Sequence, residues 1–339
     1  MTENAATEKK DRQDKQRKKK DETFRTMIGG QAIIEGIMMR GPDKIAMVVR
    51  APEGIVTQEK EIVPYKDKHP VLGWPFVRGV IGFVDSMRLG MKALMWSAEY
   101  YPEEAPEEAP AKEPSRFASW LDKKLESEAA QKAVLTFSMV LGVALAVGIF
   151  MLLPAFLTGL IGRDVIGGVW RNLLEGLVRL VILLGYLFLV SRMKDIQRVF
   201  SYHGAEHKTI ACYEAGAELS VDNVRRYPRL HPRCGTSFLF TVVIISIFVF
   251  SVMVPFDNMW LRLASRLVLL PVVVAISYEA NRWVGRHDNV FTRVIRAPGL
   301  WMQHLTTNEP DDTMIEVGIE ALQRVLPKQA GDDEWGKYN

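Results

Sequence analysis

The chain has 339 residues, 48% of them hydrophobic, and a formal net charge of +3 at pH 7. This length suits one large or two modest domains, and so small an excess of positive charge gives no reason to expect a nucleic-acid partner. The mean hydropathy is close to zero, but the apolar residues are concentrated in long blocks, which favours a membrane protein over a soluble one.

The N-terminal residues 1–25 form a polar, lysine-rich tail. The tail has too few apolar residues to build a core, so we predict that it is disordered. Charged residues fill its beginning, and we therefore expect no cleavable signal peptide. Its positive charge is typical of a segment that stays on the cytoplasmic side of a membrane, and it would also be attracted to anionic lipid.

Residues 26–100 are predicted to form a small cytosolic α+β module. Apolar residues predict strands at 45–49 and 55–62, joined as a hairpin. Before the hairpin, four glycines flank a Gln, a Glu and an Arg in residues 29–42, a pattern that suits a substrate loop or metal-site lid, or else a tight structural turn. Apolar residues at helical spacing in 75–100 predict an amphipathic helix, which lies in the membrane interface or packs against the strands.

Residues 101–116 form an acidic, proline-rich segment. Proline recurs here every four residues among five glutamates. This composition is typical of an extended, disordered linker. We expect it to separate the N-terminal module from the membrane domain.

The membrane domain is predicted at residues 117–305, and the chain is expected to be a mainly α-helical integral membrane protein. Its four apolar blocks have about the 20 residues that a bilayer-spanning helix needs, and they lie at residues 133–160, 173–190, 238–255 and 263–280. Lys and Arg are concentrated before the first block, after the fourth block and in the loop at 191–236. The two shorter loops contain few of these residues. The distribution predicts that both termini and this loop are cytoplasmic. The expected location is the bacterial cell membrane, with the lipid bilayer as the first partner.

The second apolar block contains two charged residues. Glu175 and Arg179 are four positions apart, so they can pair on one face of a helix. Such a pair fits the interior of a helix bundle better than a lipid-facing surface. A carrier with a path between the spans is one interpretation of this pair.

The most informative motif is His203-Gly204-Ala205-Glu206-His207. Residues 202–215 contain no proline and precede a glycine, which predicts a helix that continues the second span into the cytoplasm. On a helix, His203 and His207 lie one turn apart and can bind one metal ion. Glu206 lies on a neighbouring face, where it can accept a proton from metal-bound water. This order of residues is the inverted zinc-hydrolase signature, so Zn is the expected cofactor.

A zinc ion needs further ligands from elsewhere in the chain. His231 and Cys234 would complete a closed set of four, which would be structural because no position stays open for water. Glu279, at the predicted cytoplasmic end of the fourth span, would instead give two His, one carboxylate and an open position, as in metalloproteases. Glu35 is a weaker candidate. Without a metal, both motif histidines would only pack or form hydrogen bonds.

Residues 306–339 are predicted to form a C-terminal cytosolic helix and tail. Four apolar residues recur at helical spacing after Asp312 and mark one face of this helix: Ile315, Ile319, Leu322 and Val325.

Three stretches of the chain, residues 29–42, 200–216 and 225–236, resemble the YqhQ-like bacterial membrane proteins. The resemblance extends over most of residues 26–305, apart from the acidic linker. These proteins carry a domain of unknown function and are described as candidate metal-dependent enzymes. The resemblance therefore implies a membrane protein with a metal site and names no substrate.

We therefore expect a zinc-dependent hydrolase at the cytoplasmic membrane face, in which Glu206 acts as general base. His203 and His207 would hold the ion, and Glu279 or Cys234 would complete the site. The substrate would be a membrane-associated peptide or a lipid-linked compound. The alternative is a non-catalytic membrane scaffold or assembly factor, in which any metal is structural and the N-terminal module binds a protein partner. The sequence indicates no particular oligomeric state.

Overall fold

The structure is a computed structural model that describes residues 24–62, 69–101, 128–161, 168–252, 258–287, 289–329 and 331–334. Nearly all of the predicted N-terminal tail and the acidic linker lie outside these residues. The chain forms two compact units. The first unit contains the described residues up to Tyr101, then Val190–Phe238 and those from Glu279 onward, and the second contains those up to Leu189 together with Leu239–Tyr278.

A four-stranded antiparallel sheet lies in the first unit, with the strand order β1-β2-β3-β4. The strands are β1 Gly29–Ile33, β2 Gly36–Arg40, β3 Lys44–Ala51 and β4 Gly54–Glu61. The predicted hairpin is confirmed as β3 and β4. The glycine-rich segment before it forms a second hairpin, in which Glu35 adopts a left-handed backbone conformation with φ of 48°.

Ten α-helices are seen among the described residues. In chain order they are α1 Val77–Ala98, α2 Glu128–Val147, α3 Leu153–Gly159, α4 Gly168–Val190, α5 Lys194–Glu214, α6 Val221–Val224, α7 Gly235–Val252, α8 Met259–Arg286, α9 Val290–Thr306 and α10 Asp312–Val325. A 3-10 helix precedes α1 at Pro70–Gly73, and a π-helical turn at Gly148–Leu152 joins α2 to α3.

Four helical segments of the described chain are long and apolar enough to cross a membrane, and they match the four predicted blocks. They are Thr136–Gly159, Val169–Val190, Gly235–Val252 and Met259–Arg286. Large apolar side chains on them are exposed, as Trp170, Val252 and Val268 illustrate. Such a surface suits lipid rather than water. These features are those of a membrane protein.

The helix that carries the histidine motif is separate from the second candidate span. The prediction that it continues this span is wrong, because α4 ends at Val190 and α5 begins at Lys194. Between them, Met193 has an extended backbone with φ of −76° and ψ of 130°, which interrupts the helical hydrogen bonding. Gly216, with φ of 67°, follows the C-terminal end of α5 as predicted.

The core of the first unit joins elements that are far apart in the chain. Side chains of the sheet, α5 and α10 pack into one apolar cluster that includes Ile37, Val48, Ala205, Val317 and Leu322. Full burial of each larger apolar side chain contributes about 1.5–3 kcal/mol. The N-terminal strands, the loop after the second span and the C-terminal helix therefore form one unit, rather than the separate N-terminal and C-terminal parts that the sequence suggests.

Two further contacts fix the surroundings of α5. Helix α1 packs on the sheet through Leu89, Ala93 and Trp96. The sequence allowed this helix either to lie in the membrane interface or to pack against the strands, and the structure shows the second arrangement. On α5, Gly204 lies so close to the following loop that a Cβ atom there would be 2.0 Å from the carbonyl oxygen of Asn308. The glycine of the motif is thus required for close packing of the backbone.

Candidate metal centre

Three side chains on two segments of the first unit form the candidate site. The ring centroids of His203 and His207 on α5 are 4.3 Å apart. One ligand atom from each of His203, His207 and Cys234 lies within 4.8 Å of the other two. The ligand atoms of a tetrahedral zinc are about 3.3–3.8 Å apart, so zinc binding requires only small shifts of these side chains. The donor set, two imidazoles and one thiol, fits zinc.

Backbone carbonyl groups determine which nitrogen of each histidine faces the site. The Nδ1 atom of His203 lies 2.9 Å from the carbonyl oxygen of Thr306, and the Nδ1 atom of His207 lies 2.6 Å from that of Arg229. Because a carbonyl oxygen only accepts hydrogen bonds, both Nδ1 atoms carry the proton and donate it. Each Nε2 atom then carries the lone pair, and the lone pair of His203 can accept a hydrogen bond from the thiol of Cys234. An Nδ1 atom that donates to a carbonyl group is commonly found in metal-binding histidines.

Cys234 completes the group from the residue immediately before α7. Its Sγ atom lies 3.1 Å from Nε2 of His203 and 3.4 Å from the backbone nitrogen of Thr236. The first turn of a helix favours negative charge, so this position suits a thiolate ligand. Of the two residues that the sequence left open as a third ligand, Glu279 and Cys234, the structure places Cys234 beside the two histidines.

His231 lies beside the group but points away from it. Its ring is 5.6 Å from that of His207, yet its Nε2 atom is 3.4 Å from a carboxylate oxygen of Glu214. Burial lowers the pKa of His231 to about 4, with further lowering by Arg233 and His207, although the hydrogen bond with Glu214 opposes this shift. His231 is therefore not one of the three grouped side chains, and the closed set of four is not formed.

Glu214 is held by several donors on the side of the site where His231 lies. Its carboxylate accepts hydrogen bonds from Arg233 and from the backbone nitrogen of Thr26. Burial alone raises the pKa of Glu214, but the hydrogen bond with His231 and the charge of Arg233 outweigh it and lower the pKa. The carboxylate is thus ionised and engaged in these contacts.

The two other carboxylates considered for the site are bound to arginines. Glu279 accepts two hydrogen bonds of 2.7 Å from Arg78. Glu35 accepts a two-fold hydrogen bond from Arg198 and a third hydrogen bond, 3.2 Å long, from the hydroxyl group of Tyr202. The structure therefore does not bring either carboxylate into the group of His203, His207 and Cys234.

Glu206 lies on the face of α5 that meets strand β1. Its Oε1 atom accepts a 2.9 Å hydrogen bond from the backbone nitrogen of Gly30, while its buried Oε2 atom has no hydrogen-bond partner in the part of the chain that the structure describes. Burial raises the pKa of Glu206, although His203 and the Gly30 hydrogen bond oppose the shift. A carboxyl group with a raised pKa and an unused oxygen can accept and return a proton.

Strand β1 approaches Glu206 closely because residue 30 is glycine. A Cβ atom on Gly30 would lie 2.3 Å from the carbonyl oxygen of Met38 and 3.3 Å from Oε1 of Glu206. No side chain fits there without movement of the backbone. The glycine-rich segment, for which the sequence suggested a lid or a structural turn, therefore supplies a strand whose backbone binds the motif glutamate.

Two supporting residues were missed by the sequence analysis. Lys208, which is buried, donates hydrogen bonds of 3.1 Å and 2.9 Å to the carbonyl oxygens of Arg225 and Tyr227. Gln303 on α9 binds both the backbone nitrogen and the carbonyl oxygen of His231, each at 2.9 Å. Together they fix the loop that carries Cys234. Lys208 could have been identified from the sequence, because it follows the histidine motif directly. No feature of the sequence points to Gln303.

Comparisons with known proteins identify relatives of the chain. A family model described as "Protein of unknown function (DUF1385)" matches residues 74–328. The "Uncharacterized protein YqhQ" of Bacillus subtilis (strain 168) is 34% identical over 313 residues, which cover 89% of this chain and 93% of that protein. No solved structure matches the chain. The chain therefore belongs to the DUF1385 family, and the predicted YqhQ-like resemblance is confirmed.

Proposed function

We propose that the protein is a zinc-dependent hydrolase in which His203, His207 and Cys234 hold the metal ion. The observation that carries the proposal is the orientation of the two histidine rings. Their Nδ1 atoms are engaged by the carbonyl groups of Thr306 and Arg229, which leaves both Nε2 lone pairs available beside a thiol. Imidazole and thiolate ligands together favour zinc over magnesium or calcium.

A catalytic role is supported by the number of ligands. Structural zinc sites are closed by four protein ligands, whereas catalytic sites use three and leave one position for water. The side chains grouped here are three among the described residues, because His231 binds Glu214 instead. His203 and Cys234 are partly exposed while His207 is buried. A site that is half open in this way allows water and substrate to approach.

Glu206 is the proposed proton carrier. When bound, zinc lowers the pKa of its water molecule and so provides a nucleophile at neutral pH. The chain must then supply a group that accepts a proton and delivers it to the leaving group. The raised pKa of Glu206 supports this role, as does its Oε2 atom, which has no hydrogen-bond partner among the described residues. The backbone nitrogen of Gly30 holds the other oxygen in place.

The proposed substrate is a membrane-associated peptide or a lipid-linked compound. Cys234 directly precedes α7, one of the four candidate membrane spans, so the proposed site lies next to the membrane surface. The distribution of Lys and Arg supports a cytoplasmic position for this surface and for both termini. The proposed location is the bacterial cell membrane.

Incorporation of heavy oxygen from water tests hydrolysis even when the substrate is unidentified. Zinc-loaded protein is incubated with bacterial membrane extract in H₂¹⁸O, and products are compared by mass spectrometry. We expect products with one additional ¹⁸O atom for the wild type and for Glu316→Gln, an exposed control. We expect none for Glu206→Gln, which should keep its zinc.

A second candidate function is a non-catalytic scaffold that uses zinc as a staple. The specific observation that favours it is that the three side chains connect α5 with the loop that Lys208 also binds. Under this alternative, Glu206→Gln has no effect on cellular function, and the wild type gives no labelled product. A wild-type product that persists in Glu206→Gln would instead show hydrolysis with a different proton carrier.

A further inference from the structure

A buried cluster of charged side chains lies in the second unit, between helices α4 and α8. The carboxylate of Glu175 receives hydrogen bonds of 2.8–3.0 Å from the guanidinium groups of Arg179, Arg262 and Arg266. All four residues are at most 5% exposed. Both helices coincide with candidate membrane spans, where buried charge is costly and is usually retained for function.

Positive charge exceeds negative charge in this cluster. Three arginines face one carboxylate, so two positive charges remain uncompensated among the described residues. Neutral groups satisfy several of the remaining donors: Asn172 binds Arg266 at 3.0 Å, and the carbonyl oxygen of Phe150 binds Arg179 at 3.0 Å. These partners contribute hydrogen bonds but no negative charge. A bound anion would restore the balance that a low-dielectric interior requires.

One guanidinium nitrogen in the cluster has no hydrogen-bond partner among the described residues. The Nη2 atom of Arg262 binds Thr158 and Glu175, but its Nη1 atom is buried and has no hydrogen-bond partner within the described residues. This atom lies beside Gly159, where a Cβ atom would be 3.7 Å from it. A buried charged donor that is left without an acceptor destabilises the fold strongly, so Nη1 of Arg262 indicates an acceptor that the described residues do not supply.

We propose that the cluster of Arg179, Arg262 and Arg266 is a binding site for a phosphate-type oxyanion. Arginine is the preferred residue for phosphate because its planar fork matches the oxygens of the anion. Arg262 and Glu175 lie within two turns of the residues at which α8 and α4 begin, about 4–10 Å along the helix axes. At that depth the anion is either free phosphate or the phosphate of a lipid headgroup. This site is independent of the proposed zinc centre.

Thermal unfolding of the full chain in a neutral, phosphate-free detergent tests the proposal in two arms. In the first arm, inorganic phosphate is titrated against chloride at constant ionic strength. In the second, mixed micelles contain phosphatidylglycerol or, as the matched control, diacylglycerol with the same acyl chains and no phosphate. We expect one arm to raise the Tm of the wild type by roughly 5 °C at saturation, and the arm that responds identifies the source of the phosphate.

Variants link the response to the cluster. Arg262→Gln removes the unpartnered donor and should raise the apparent Kd of the responding probe at least tenfold, while Arg262→Lys should be intermediate. Arg324→Gln is the charge-matched control, since Arg324 binds Glu59 and Glu320 outside the cluster, and it should respond like the wild type. The proposal is overturned if neither probe raises the Tm of the wild type, or if Arg262→Gln responds equally. Should Arg262→Gln not fold, the wild type and Arg262→Lys decide by the same criteria.

Discussion

The Nε2 atom of His203 lies 3.1 Å from the Sγ atom of Cys234, although the two residues are 31 positions apart in the chain. This contact brings the loop before α7 onto the motif helix. It also makes Cys234 the only thiol among the described residues that lies beside two available imidazole nitrogens. The chemistry of that thiol therefore reports on the proposed site.

Zinc should protect Cys234 from alkylation. A thiolate bound to zinc is a much weaker nucleophile than a free thiolate, so we expect iodoacetamide to modify Cys234 at least ten times more slowly in the zinc-loaded protein. Mass spectrometry of the peptides measures the rate. Cys212 is fully buried and serves as the internal control. Equal rates with zinc and with a chelator would contradict Cys234 as a ligand.

Substitution of Gly30 should destabilise the protein, whereas substitution of its neighbour should not. In Gly30→Ala the new Cβ atom would lie 2.3 Å from the carbonyl oxygen of Met38, while a Cβ atom on Gly29 meets nothing within 4 Å. Overpacking of this kind costs about 1–3 kcal/mol. Thermal unfolding in detergent should therefore show a lower Tm for Gly30→Ala only. An equal Tm for the two variants would disprove the close approach of residue 30 to the carbonyl oxygen of Met38.

The contribution of His231 to the stability of the metal-free protein should fall as the pH is lowered from 7 to 5. His231 has a pKa of about 4 in the folded chain, against an ordinary value of 6.5, so the unfolded chain takes up the proton first. The contribution of His231 to the free energy of unfolding is fully present above pH 6.5 and is lost as the pH falls towards 4. The loss between pH 7 and pH 5 is about 2 kcal/mol.

His231→Gln removes this titration, so between pH 7 and pH 5 its free energy of unfolding should fall by about 2 kcal/mol less than that of the wild type. The lowered pKa of Glu214 places its own loss of stability below pH 4.5, outside the measured range. A pH profile of His231→Gln that matches the wild type between pH 7 and pH 5 would show that His231 is not buried in the neutral form.

Glu279→Gln should leave the metal content unchanged. Its carboxylate is bound to Arg78 and is not part of the group formed by His203, His207 and Cys234. Zinc analysis of the purified variant should therefore give the wild-type value, while its Tm falls because the partly buried ion pair with Arg78 is lost. Loss of zinc in Glu279→Gln would indicate instead that the carboxylate of Glu279 is a zinc ligand.

The sequence predicted those features that depend on neighbouring residues. Long apolar runs predict spans such as Met259–Arg286, because length and composition alone decide whether a segment suits a bilayer. Two short segments on either side of a turn sequence, residues 51–54, predicted the hairpin of β3 and β4. The four-residue spacing of His203 and His207 placed both rings on one face of a helix. None of these features depends on distant contacts.

Features that depend on distant pairs could not be read from the sequence. Arg78 binds Glu279 across 201 positions, and Arg198 binds Glu35 across 163. Before such pairs are known, every carboxylate near the motif remains a possible ligand. Helix α10 and the N-terminal sheet, which pack against each other, are equally far apart in the chain. The break between α4 and α5 was missed because Ser191, Arg192 and Met193 carry neither proline nor glycine.

The zinc content of the purified protein tests the central claim most directly. Elemental analysis should give about one zinc per chain for the wild type and for His231→Gln, and close to none for the double variant His203→Ala/His207→Ala and for Cys234→Ser. Circular dichroism of each variant shows whether it remains folded. If zinc stays at the wild-type level in the folded double variant, or if the wild type binds none when zinc is supplied, the metal centre described here does not exist.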